Sequence, residues 1–388
     1  MEENNIYIAG KGSLKTIYDR IHLIITKTFS IRYNTIKNCI EISKKHNNNH
    51  WEIINSSSLY IFLKQNNIQL KKTDLDIFLS SYFVSRYDPI KSYIENLPPW
   101  DKQDHIAKLC SYLETEDNNE FLIQFRKWLV RAIRCVLENG YFNKNCFVLV
   151  SGEESTGKTS FCKFLIPPAM KDYSTDTIDS SKDGIITQSS NWMTLLDEID
   201  LMPLKDLKFM KSAISRTTVT IRPPYGHRVI SVPRISSYLA TTNSYSFLNT
   251  DIGNIRWICF EIMGIIDFSY SNDIDIEKVW SQALHLSKQK GFDCELTSSE
   301  IKKNKLRNEK YKLNSWYEDI INQHYEKSSD KNDFSTAGNI VESHRKDNAK
   351  ANNVSMGKAL NSLGFEKIKQ NGVYGYCIKR KSSEERNN

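Results

Sequence analysis

CFVLVSGEESTGKTSFCKFLIPP, which runs from Cys146 to Pro168, is the most informative segment of this chain. Its five apolar residues, Cys146 to Val150, predict a buried strand. The turn GEESTGKT follows directly, and a short amphipathic helix is predicted to continue until Pro167 stops it. A strand, a glycine-bounded loop and a helix in this order are typical of the phosphate-binding P-loop.

The residues of this loop explain how it would bind phosphate. Gly152 and Gly157 let the backbone turn tightly enough for successive amide N–H groups to point at one anion, and the helix dipole adds to this attraction. Lys158 is placed to reach the β- and γ-phosphates, and Thr159 to hold Mg²⁺. The sequence therefore predicts that ATP and Mg²⁺ bind here, in a segment made of Gly152, Glu153, Glu154, Ser155, Thr156, Gly157, Lys158, Thr159 and Ser160.

The whole chain has the composition of a globular protein. Its 388 residues suffice for two or three domains, and 39% hydrophobic with 26% charged residues argues against disorder. No window reaches about 18 consecutive apolar residues, and the N-terminus lacks the apolar run of a signal peptide. We therefore expect a cytoplasmic protein without a membrane partner. The eight cysteines include no C-x2-C pair, which indicates neither a disulfide framework nor a zinc site.

The net charge of +7 is unevenly distributed along the chain. Residues 301–388 contain 18 lysines and arginines against 11 aspartates and glutamates, whereas the first 300 residues are balanced. A basic C-terminal region on a neutral body favours an anionic partner, with nucleic acid the first candidate. Solubility is the alternative explanation of the same charge.

A second apolar run, Met193 to Leu196, ends in the acidic cluster DEID at residues 197–200. We expect this strand to lie beside the P-loop strand. Asp197 would then hold Mg²⁺ through water, and Glu198 would orient and deprotonate the attacking water. The alternative is a cluster that caps the N-terminus of the helix predicted over residues 204–214.

A hairpin is predicted where Thr217 to Arg222 and Arg228 to Val232, both rich in β-branched residues, flank PPYGH. Basic side chains with an aromatic among them suit a hairpin that grips phosphate and stacks a base. A surface hairpin with solvated arginines is the alternative. The predicted nucleic-acid-binding residues of this hairpin are Arg222, Tyr225, His227 and Arg228.

Two more polar residues accompany predicted strands. Ser236 to Thr241 predicts a third buried strand, and the side chain of the following Asn243 would hydrogen-bond the attacking water or the γ-phosphate, unless it is a plain turn residue. Arg256 precedes the apolar strand Trp257 to Ile262 and is a candidate arginine finger, which would stabilise the transferring phosphoryl group. The predicted catalytic residues are thus Lys158, Asp197, Glu198, Asn243 and Arg256.

The segments around this core predict a chain of five parts. Residues 1–88 are expected to form a small α+β domain, with a strand at Ile31 to Ile42, a helix that starts near Asn55, and another at Leu75 to Val84. The further parts are a helical lead-in at 89–141, the P-loop ATPase core at 142–295, a basic helical linker at 296–313, and a winged-helix-like domain at 314–388.

The C-terminal part has the pattern of a winged helix. Val354 to Leu363 predicts a short amphipathic helix, and FEKIKQ and VYGYCIK flank Asn371-Gly372, the strongest two-residue signal for a hairpin. We predict that DNA contacts Lys358 on the helix and Lys367 and Lys369 on the wing. Protein binding, as in many winged helices, is the alternative.

These motifs together resemble the virulence-associated E family, helicase-like ATPases of phages, plasmids and mobile elements, which is similar to superfamily 3 helicases within the AAA+ class. The resemblance covers Tyr87 to Ile262, through DPIKSYIENLPPWD, FRKWLVRAIRCVL, GEESTGKTSF, LLDEID, ISRTTVTIRPPYGHR, PRISSYLATTN and GNIRWICFEI. It implies an α/β fold with an AAA+ type P-loop core, a parallel sheet flanked by helices. The C-terminal winged helix is similar to that of phage and plasmid primase-helicases.

The resemblance also implies roles for the site residues: Lys158 and Thr159 on nucleotide and metal, Asp197 and Glu198 as the Walker B pair, Asn243 as sensor 1, and Arg256 as a finger acting on a neighbour's site. A finger in trans implies a ring, usually a hexamer. The hairpin at residues 222–228 would face single-stranded or forked DNA in the pore.

Two departures from the family's pattern limit these implications. Many relatives carry a primase domain, but residues 1–88 offer no evident constellation of carboxylates, so primase activity is not supported. Recruitment of a separate primase or initiator is a role that this segment leaves open. LLDEID is nearer the general AAA+ form than the glutamate-rich version common in the family, which leaves open how Asp197, Glu198 and Asp200 divide the Walker B roles.

The main hypothesis is therefore an oligomeric ATPase that moves along or unwinds DNA during replication of a mobile element. A second hypothesis is an ATP-driven switch that senses nucleic acid in defence or regulation without unwinding it. A third is a DNA-binding module whose ATPase controls assembly only. A small-molecule P-loop kinase explains neither Asn243 and Arg256 nor the basic C-terminal region.

Overall fold

The computed structural model describes residues 16–45, 50–178, 180–222, 229–248, 254–312, 316–330 and 332–381. These residues form two compact units. The first contains residues 16–245 and 254–309, and the second contains residues 246–248 and 310–381.

The first unit begins with a small α+β region. Its elements are α1 (Ile17–Thr28), β1 (Phe29–Asn34), β2 (Cys39–Lys44), β3 (Glu52–Ile53), α2 (Ser56–Gln65), α3 (Lys72–Ser80) and β4 (Ser85–Tyr87). The strands form one sheet in the order β3-β2-β1-β4, in which β4 pairs with β1 in parallel and the other pairs are antiparallel. Apolar residues at helical spacing in α1, α2 and α3 share one core with Ile40 and Ile42 of the sheet.

The single strand predicted from Ile31 to Ile42 is wrong, because the chain reverses within it. Oδ1 of Asn34 accepts hydrogen bonds from the backbone N–H groups of Ile36 and Lys37, at 3.0 and 2.9 Å, and Asn38 has a φ of +50°. Asparagine side chains that hydrogen-bond the backbone just ahead of them favour tight turns. β1 and β2 consequently pair as an antiparallel hairpin.

The two helices predicted in this region are present, and their N-caps define where they start. The side chain of Asn55 accepts a hydrogen bond from the backbone N–H of Ser58 at 3.0 Å, which confirms the predicted start of α2. α3 begins before the predicted Leu75, because the Asp74 carboxylate accepts a hydrogen bond from the Lys71 backbone N–H at 2.7 Å. The first turn is thereby fixed earlier than apolar periodicity indicates. The predicted end at Val84 is wrong, because the backbone becomes extended at Ser81 and the helix ends at Ser80.

The remaining elements of the first unit are α4 (Pro89–Glu95), α5 (His105–Cys110), α6 (Asn118–Leu137), β5 (Cys146–Val150), α7 (Lys158–Phe164), β6 (Ser174–Thr175), α8 (Lys182–Ser190), β7 (Met193–Leu196), α9 (Leu204–Ser215), β8 (Thr218–Ile221), β9 (Ile230–Pro233), β10 (Ser237–Thr242), β11 (Trp257–Glu261), α10 (Tyr270–Asp273), α11 (Ile276–Lys288) and α12 (Ser298–Asn308). Short 3-10 helices lie at Pro168–Tyr173, Ile199–Leu201 and Asn254–Arg256. Aspartates cap α4, α5 and α6 at their N-termini.

A five-stranded sheet forms the centre of this unit, in the order β11-β5-β10-β7-β6 with every neighbouring pair parallel. All residues of β5, β7 and β10 are buried, as expected for strands covered on both faces. Phe121, Phe125 and Trp128 of α6 pack their rings within 6.2 Å of the Phe147 ring on β5. The predicted α/β class, with a parallel sheet flanked by helices, is confirmed.

The expectation that β7 lies beside the P-loop strand is wrong, because β10 separates them. Tyr238 of β10 is paired with Cys146 of β5 on one side and with Thr194 of β7 on the other. Continuous apolar runs identify buried parallel strands but carry no information about which strands are neighbours. The carboxyl ends of β5, β10 and β7 nevertheless meet at one edge of the sheet, because the strands are parallel.

The predicted hairpin before β10 is confirmed, since β8 and β9 pair antiparallel with Ile221 opposite Ile230. Its root is held by Arg234, whose side chain is fully buried. The guanidinium donates to the carbonyl oxygens of Arg216 and Asn143, each at 2.8 Å. The root of the hairpin is therefore tied both to the end of α9 and to the segment that enters β5.

The second unit is a smaller α+β assembly. Its elements are α13 (Trp316–His324), β12 (Tyr325–Lys327), β13 (Phe334–Ser335), α14 (Ala337–Ser343), α15 (Asn353–Ser362), β14 (Lys367–Gln370) and β15 (Val373–Arg380). β12, β13 and β14 all pair antiparallel with β15. Asn371 and Gly372 connect β14 to β15 with φ values of +49° and +83°, which confirms the predicted hairpin.

Within the described ranges, no helix is both long enough and apolar enough to cross a membrane. All eight cysteines lie in the described part of the chain and are free thiols. The division of the chain into five segments stays a prediction.

Candidate active site

The loop between β5 and α7 takes its shape from Gly157, which lies at the N-cap of α7 with a φ of +93°. Residues other than glycine are strained at this φ. A Cβ at this position would also lie 2.8 Å from Cζ of Phe268, closer than two carbons approach. The glycine is therefore required both for the backbone conformation and for the close approach of a neighbouring ring.

Lys158 is the first residue of α7, and its side chain is buried. Its Nζ donates hydrogen bonds to the Glu153 carbonyl oxygen at 3.1 Å and to Oγ1 of Thr156 at 2.9 Å. Burial lowers the pKa of the Lys158 ammonium, and the nearby carboxylates of Asp197 and Asp200 partly oppose this shift. The ammonium thus has a fixed position in which an additional anion would stabilise its charge.

Asp197 follows β7 and connects three elements at the carboxyl edge of the sheet. Oδ1 of Asp197 accepts a hydrogen bond from Oγ1 of Thr159 on α7 at 2.6 Å, and another from Oγ1 of Thr241 on β10. Oγ1 of Thr241 in turn accepts from the backbone N–H of Glu198 at 3.3 Å. The two residues after β7 are therefore positioned by the strand that separates β7 from the P-loop strand.

The other acidic residues of the cluster have different surroundings. Glu198 has a left-handed φ of +50°, directly before the 3-10 helix at Ile199–Leu201. The Asp200 carboxylate accepts a hydrogen bond from Oγ1 of Thr242 at 2.5 Å. The N-cap of α9 is Pro203, which makes no side-chain capping bond. The alternative interpretation of the acidic cluster as a cap for α9 is therefore wrong.

A cavity of about 410 Å³ lies at the carboxyl edge of the sheet, beside Lys158, Asp197 and Glu198. Its lining residues are Glu154, Ser155, Thr156, Gly157, Lys158, Thr159, Ser160, Asp197, Glu198, Thr241, Asn243 and Phe268. Four of the five predicted catalytic residues are thus brought together. Among the predicted loop residues, Gly152 and Glu153 do not line the cavity; the Gly152 backbone N–H donates to the Tyr245 hydroxyl at 3.3 Å.

The oxygen atoms of Thr159 and Asp197 are chemically suited to Mg²⁺. Magnesium prefers hard oxygen ligands, and protein sites commonly supply one or two of them beside the phosphates of a substrate. The hydroxyl of Thr159 and the carboxylate of Asp197 face each other at 2.6 Å and border the same cavity. These two side chains fit the ion that the P-loop pattern implies.

Arg256 lies outside this cavity. It ends the 3-10 helix that precedes β11, and its Nε donates to Oγ of Ser215, the last residue of α9, at 2.8 Å. Trp257, the next residue, is paired with Cys146 at the start of β5. Arg256 is therefore at the amino edge of the sheet, whereas the cavity is at the carboxyl edge.

The predicted nucleic-acid-binding residues fall in two places. Arg222 is exposed beside the end of β8, whereas Tyr225, His227 and Arg228 lie outside the described residues. In the second unit, Lys358 on α15 and Lys367 and Lys369 on β14 are exposed.

The two lysines of β14 accompany an aromatic ring that sequence reasoning did not single out. Nζ of Lys367 and of Lys369 lie 4.8 and 5.4 Å from the ring centre of Tyr374, which is 59% exposed. The tyrosine is on β15, where Lys369 is its direct cross-strand partner. The exposed ring and the two nearby ammonium groups form a basic and aromatic patch, named here the wing patch (Lys367, Lys369 and Tyr374).

Three residues of the P-loop region were not predicted: Thr241, Tyr245 and Phe268. Thr241 offered a signal, because a hydroxyl within a fully buried strand requires a polar partner. Tyr245 and Phe268 lie in loops after β10 and β11, and only the tertiary structure brings them to the P-loop.

Comparison with solved structures finds similarity to the C-terminal region of NrS-1, determined in apo form. One such structure has 12% sequence identity and a TM-score of 0.49, and covers 93% of this chain and 97% of that one. A second has 13% identity and a TM-score of 0.47, and covers 90% of this chain and 87% of that one. Comparison with curated proteins finds no match.

The family model described as virulence-associated protein E-like domain matches residues 94–313. The match spans more than half of the 388 residues and includes the P-loop, the acidic cluster, the hairpin and Arg256. The chain belongs to the virulence-associated protein E-like family.

Proposed function

We propose that this protein binds ATP with Mg²⁺ in the 410 Å³ cavity and hydrolyses it. The observation that carries the proposal is the convergence of Lys158, Thr159, Asp197, Glu198 and Asn243 on one cavity at the carboxyl edge of the parallel sheet. These side chains come from three separate segments of the chain. An ammonium, an oxygen pair for the metal, and a further carboxylate are the groups that phosphoryl transfer to water requires.

The geometry supports a division of the three acidic residues. Asp197 contacts Thr159 and is suited to hold the ion, which would neutralise charge on the phosphates. Glu198 lines the cavity and is suited to orient and deprotonate the attacking water. Asp200 is bonded to Thr242 and does not line the cavity, so we assign it a positioning role.

We assign Arg256 to the active site of a neighbouring copy. β5 has five residues between the amino and carboxyl edges of the sheet, a length of about 16 Å. Arg256 is at the amino edge, and its side chain is too short to reach the cavity of its own chain. A finger supplied in trans requires an oligomer, and we propose the hexameric ring and AAA+ architecture that the family resemblance implies.

We further propose that the output of hydrolysis is movement along DNA or its unwinding, of superfamily 3 type, in the replication of a mobile element. Two features support nucleic acid as partner. The β8–β9 hairpin carries the exposed Arg222, and the wing patch combines two lysines with an exposed aromatic ring. We propose that the second unit contacts DNA as a winged helix, with α15 and the β14–β15 hairpin as its reading elements.

The test is steady-state ATP hydrolysis by the full chain, with and without single-stranded DNA, compared with Lys158→Ala. We expect hydrolysis that DNA stimulates and that the variant lacks. Hydrolysis indifferent to DNA would favour an ATPase that controls assembly, and stimulation without strand displacement on a forked duplex would favour a nucleic-acid sensor. Equal rates for the variant and the natural chain would refute the assignment of the site.

A further inference from the structure

A second cavity, of about 810 Å³, lies beside the active-site cavity in the first unit. The two cavities share Ser160 of α7 and Phe268 of the segment after β11. Half of its lining residues are apolar or aromatic, among them Phe164, Leu195 and Tyr270, and the other half are polar or charged, including two lysines. Concave sites of this size that combine apolar and aromatic groups with polar ones are common binding sites for small organic molecules.

Phe268 occupies the boundary between the two cavities. Its ring edge approaches Gly157 of the P-loop and its ring stacks on that of Tyr270, with centroids 6.1 Å apart. The segment is held in place because the Ile266 backbone N–H donates to the Thr156 carbonyl oxygen at 3.0 Å. Phe268 is 46% exposed and lines both cavities, so part of its ring is available at the boundary between them.

The active-site cavity determines the direction in which a nucleotide would extend. Asp197 and Asn243 border that cavity and not the larger one, and they are assigned to the γ-phosphate end. Ser160, one residue beyond the Lys158-Thr159 pair, borders both cavities. The remainder of a bound nucleotide would therefore leave the phosphate site past Ser160 and Phe268.

Polar groups in the larger cavity match the edge of a nucleobase. Ser174, Thr175 and Asp176, at and after β6, line this cavity, and their side chains carry hydroxyl and carboxylate oxygens. Bases present both N–H donors and ring nitrogen acceptors along their edges, and hydroxyls can donate or accept whereas a carboxylate accepts only. A flat apolar ring with a hydrogen-bonding edge is the ligand shape that this combination suits.

We infer that the 810 Å³ cavity is the nucleobase site of this protein and that Phe268 is the ring on which the base stacks. The inference rests on the proposed binding of a nucleoside triphosphate at the P-loop and adds to it the residues that recognise the base. Stacking between a base and an aromatic side chain contributes enough affinity that removing the ring is expected to weaken binding about 10-fold.

The experiment separates the base from the phosphates by comparing ADP with pyrophosphate. Calorimetry would measure the affinity of each, in the presence of Mg²⁺, for the natural chain, Phe268→Ala and Phe268→Tyr. We expect Phe268→Ala to bind ADP about 10-fold more weakly while its affinity for pyrophosphate is unchanged, and Phe268→Tyr to bind ADP as the natural chain does. Tyr82→Ala, which removes a ring that is 87% exposed in the N-terminal region, is the matched control.

Three results would overturn the inference or its basis, and they are distinguishable. An unchanged affinity of Phe268→Ala for ADP would exclude stacking on this ring. An equal loss for ADP and pyrophosphate would mean that Phe268 supports only the shape of the P-loop. If the natural chain bound neither compound, the proposed nucleotide site itself would be wrong. Thermal unfolding of each variant would show that a loss of binding does not reflect a loss of folding.

Discussion

Lys158 and the two lysines of the wing patch differ in how their ammonium groups are surrounded. Lys158 is 5% exposed and is fixed by two hydrogen bonds near two carboxylates. Lys367 and Lys369 are exposed and lie beside the ring of Tyr374. The first arrangement holds one charge at one point, whereas the second spreads charge over a surface.

This difference indicates how each region would respond to change. The effect of a buried, hydrogen-bonded charge depends on its exact position, so the loss of one atom changes it strongly, whereas salt screens it little. Exposed lysines that contact a polyanion act through counterion release. Each lysine contributes modestly to the affinity, and the total contribution grows with their number. Single substitutions in the P-loop cavity should therefore have large effects, whereas each substitution in the wing patch should have a modest one.

The largest effect is expected for Glu198→Gln. Removal of the carboxylate that we propose as general base should lower the rate of ATP hydrolysis about 100-fold or more, with ATP binding retained. Asp200→Asn is the matched control, because Asp200 is bonded to Thr242 and lies outside the cavity lining. Steady-state rates and equilibrium binding measure both effects. A larger loss for Asp200→Asn than for Glu198→Gln would reverse our division of the acidic roles.

A smaller effect is expected for Thr241→Val, which preserves shape but removes the hydroxyl that positions Asp197 and the Glu198 backbone. Loss of a buried hydrogen-bonding group costs about 1–3 kcal/mol. We expect a fall in thermal stability and a fall of about 10-fold in hydrolysis. Thr220→Val, at an exposed position of β8, should change neither quantity. Unchanged hydrolysis in Thr241→Val would show that β10 does not organise the site.

Replacement of Lys367 and Lys369 by alanine together should weaken DNA binding by a salt-dependent amount. Each phosphate contact contributes about 0.7 to the slope of log affinity against log salt concentration for single strands, so the double variant should lose about 1.4. ATP hydrolysis without DNA should be unaffected. Titrations at several salt concentrations test this expectation against the control pair Lys64→Ala and Lys72→Ala on α2 and α3. An unchanged slope would show that the wing patch does not contact DNA.

The smallest effect is expected for Gly372→Ala, because a Cβ at the tip of the β14–β15 hairpin meets no atom within 4 Å. Only the left-handed backbone conformation opposes the substitution, at a cost of about 1 kcal/mol. Gly157→Ala combines the same backbone strain with a clash against Phe268. It should therefore lower stability more than Gly372→Ala does, and it should also lower nucleotide affinity. Thermal unfolding of the two variants would rank them, and the reverse order would contradict the packing described for the P-loop.

The sequence predicted those parts of the molecule whose structure is determined locally. Cys146–Val150 and Met193–Leu196 have the bounds expected from their apolar runs, and Asn371 with Gly372 forms the expected turn. The P-loop pattern fixes the positions of Lys158 and Thr159, since strand, loop and helix adjoin in the chain.

Features that depend on distant segments were not predictable in the same way. The position of β10 between β5 and β7 depends on how buried strands of similar composition choose neighbours, and apolar periodicity contains no such information. Phe268 reaches the P-loop from a loop more than 100 residues later in the chain. The turn after Asn34 is hard to predict from the sequence, because its signal is one capping side chain within a run of β-branched residues.

Arg234 has a mechanical consequence. Its guanidinium joins the root of the β8–β9 hairpin to the carbonyl oxygen of Arg216, and the neighbouring Ser215 holds the side chain of Arg256. The hairpin and the 3-10 helix before β11 are thus each hydrogen-bonded to the end of α9, at two residues that adjoin in the chain. Under the function proposed above, a force that DNA exerts on the hairpin would reach Arg256 through these contacts and would couple mechanical load to hydrolysis in a neighbouring subunit.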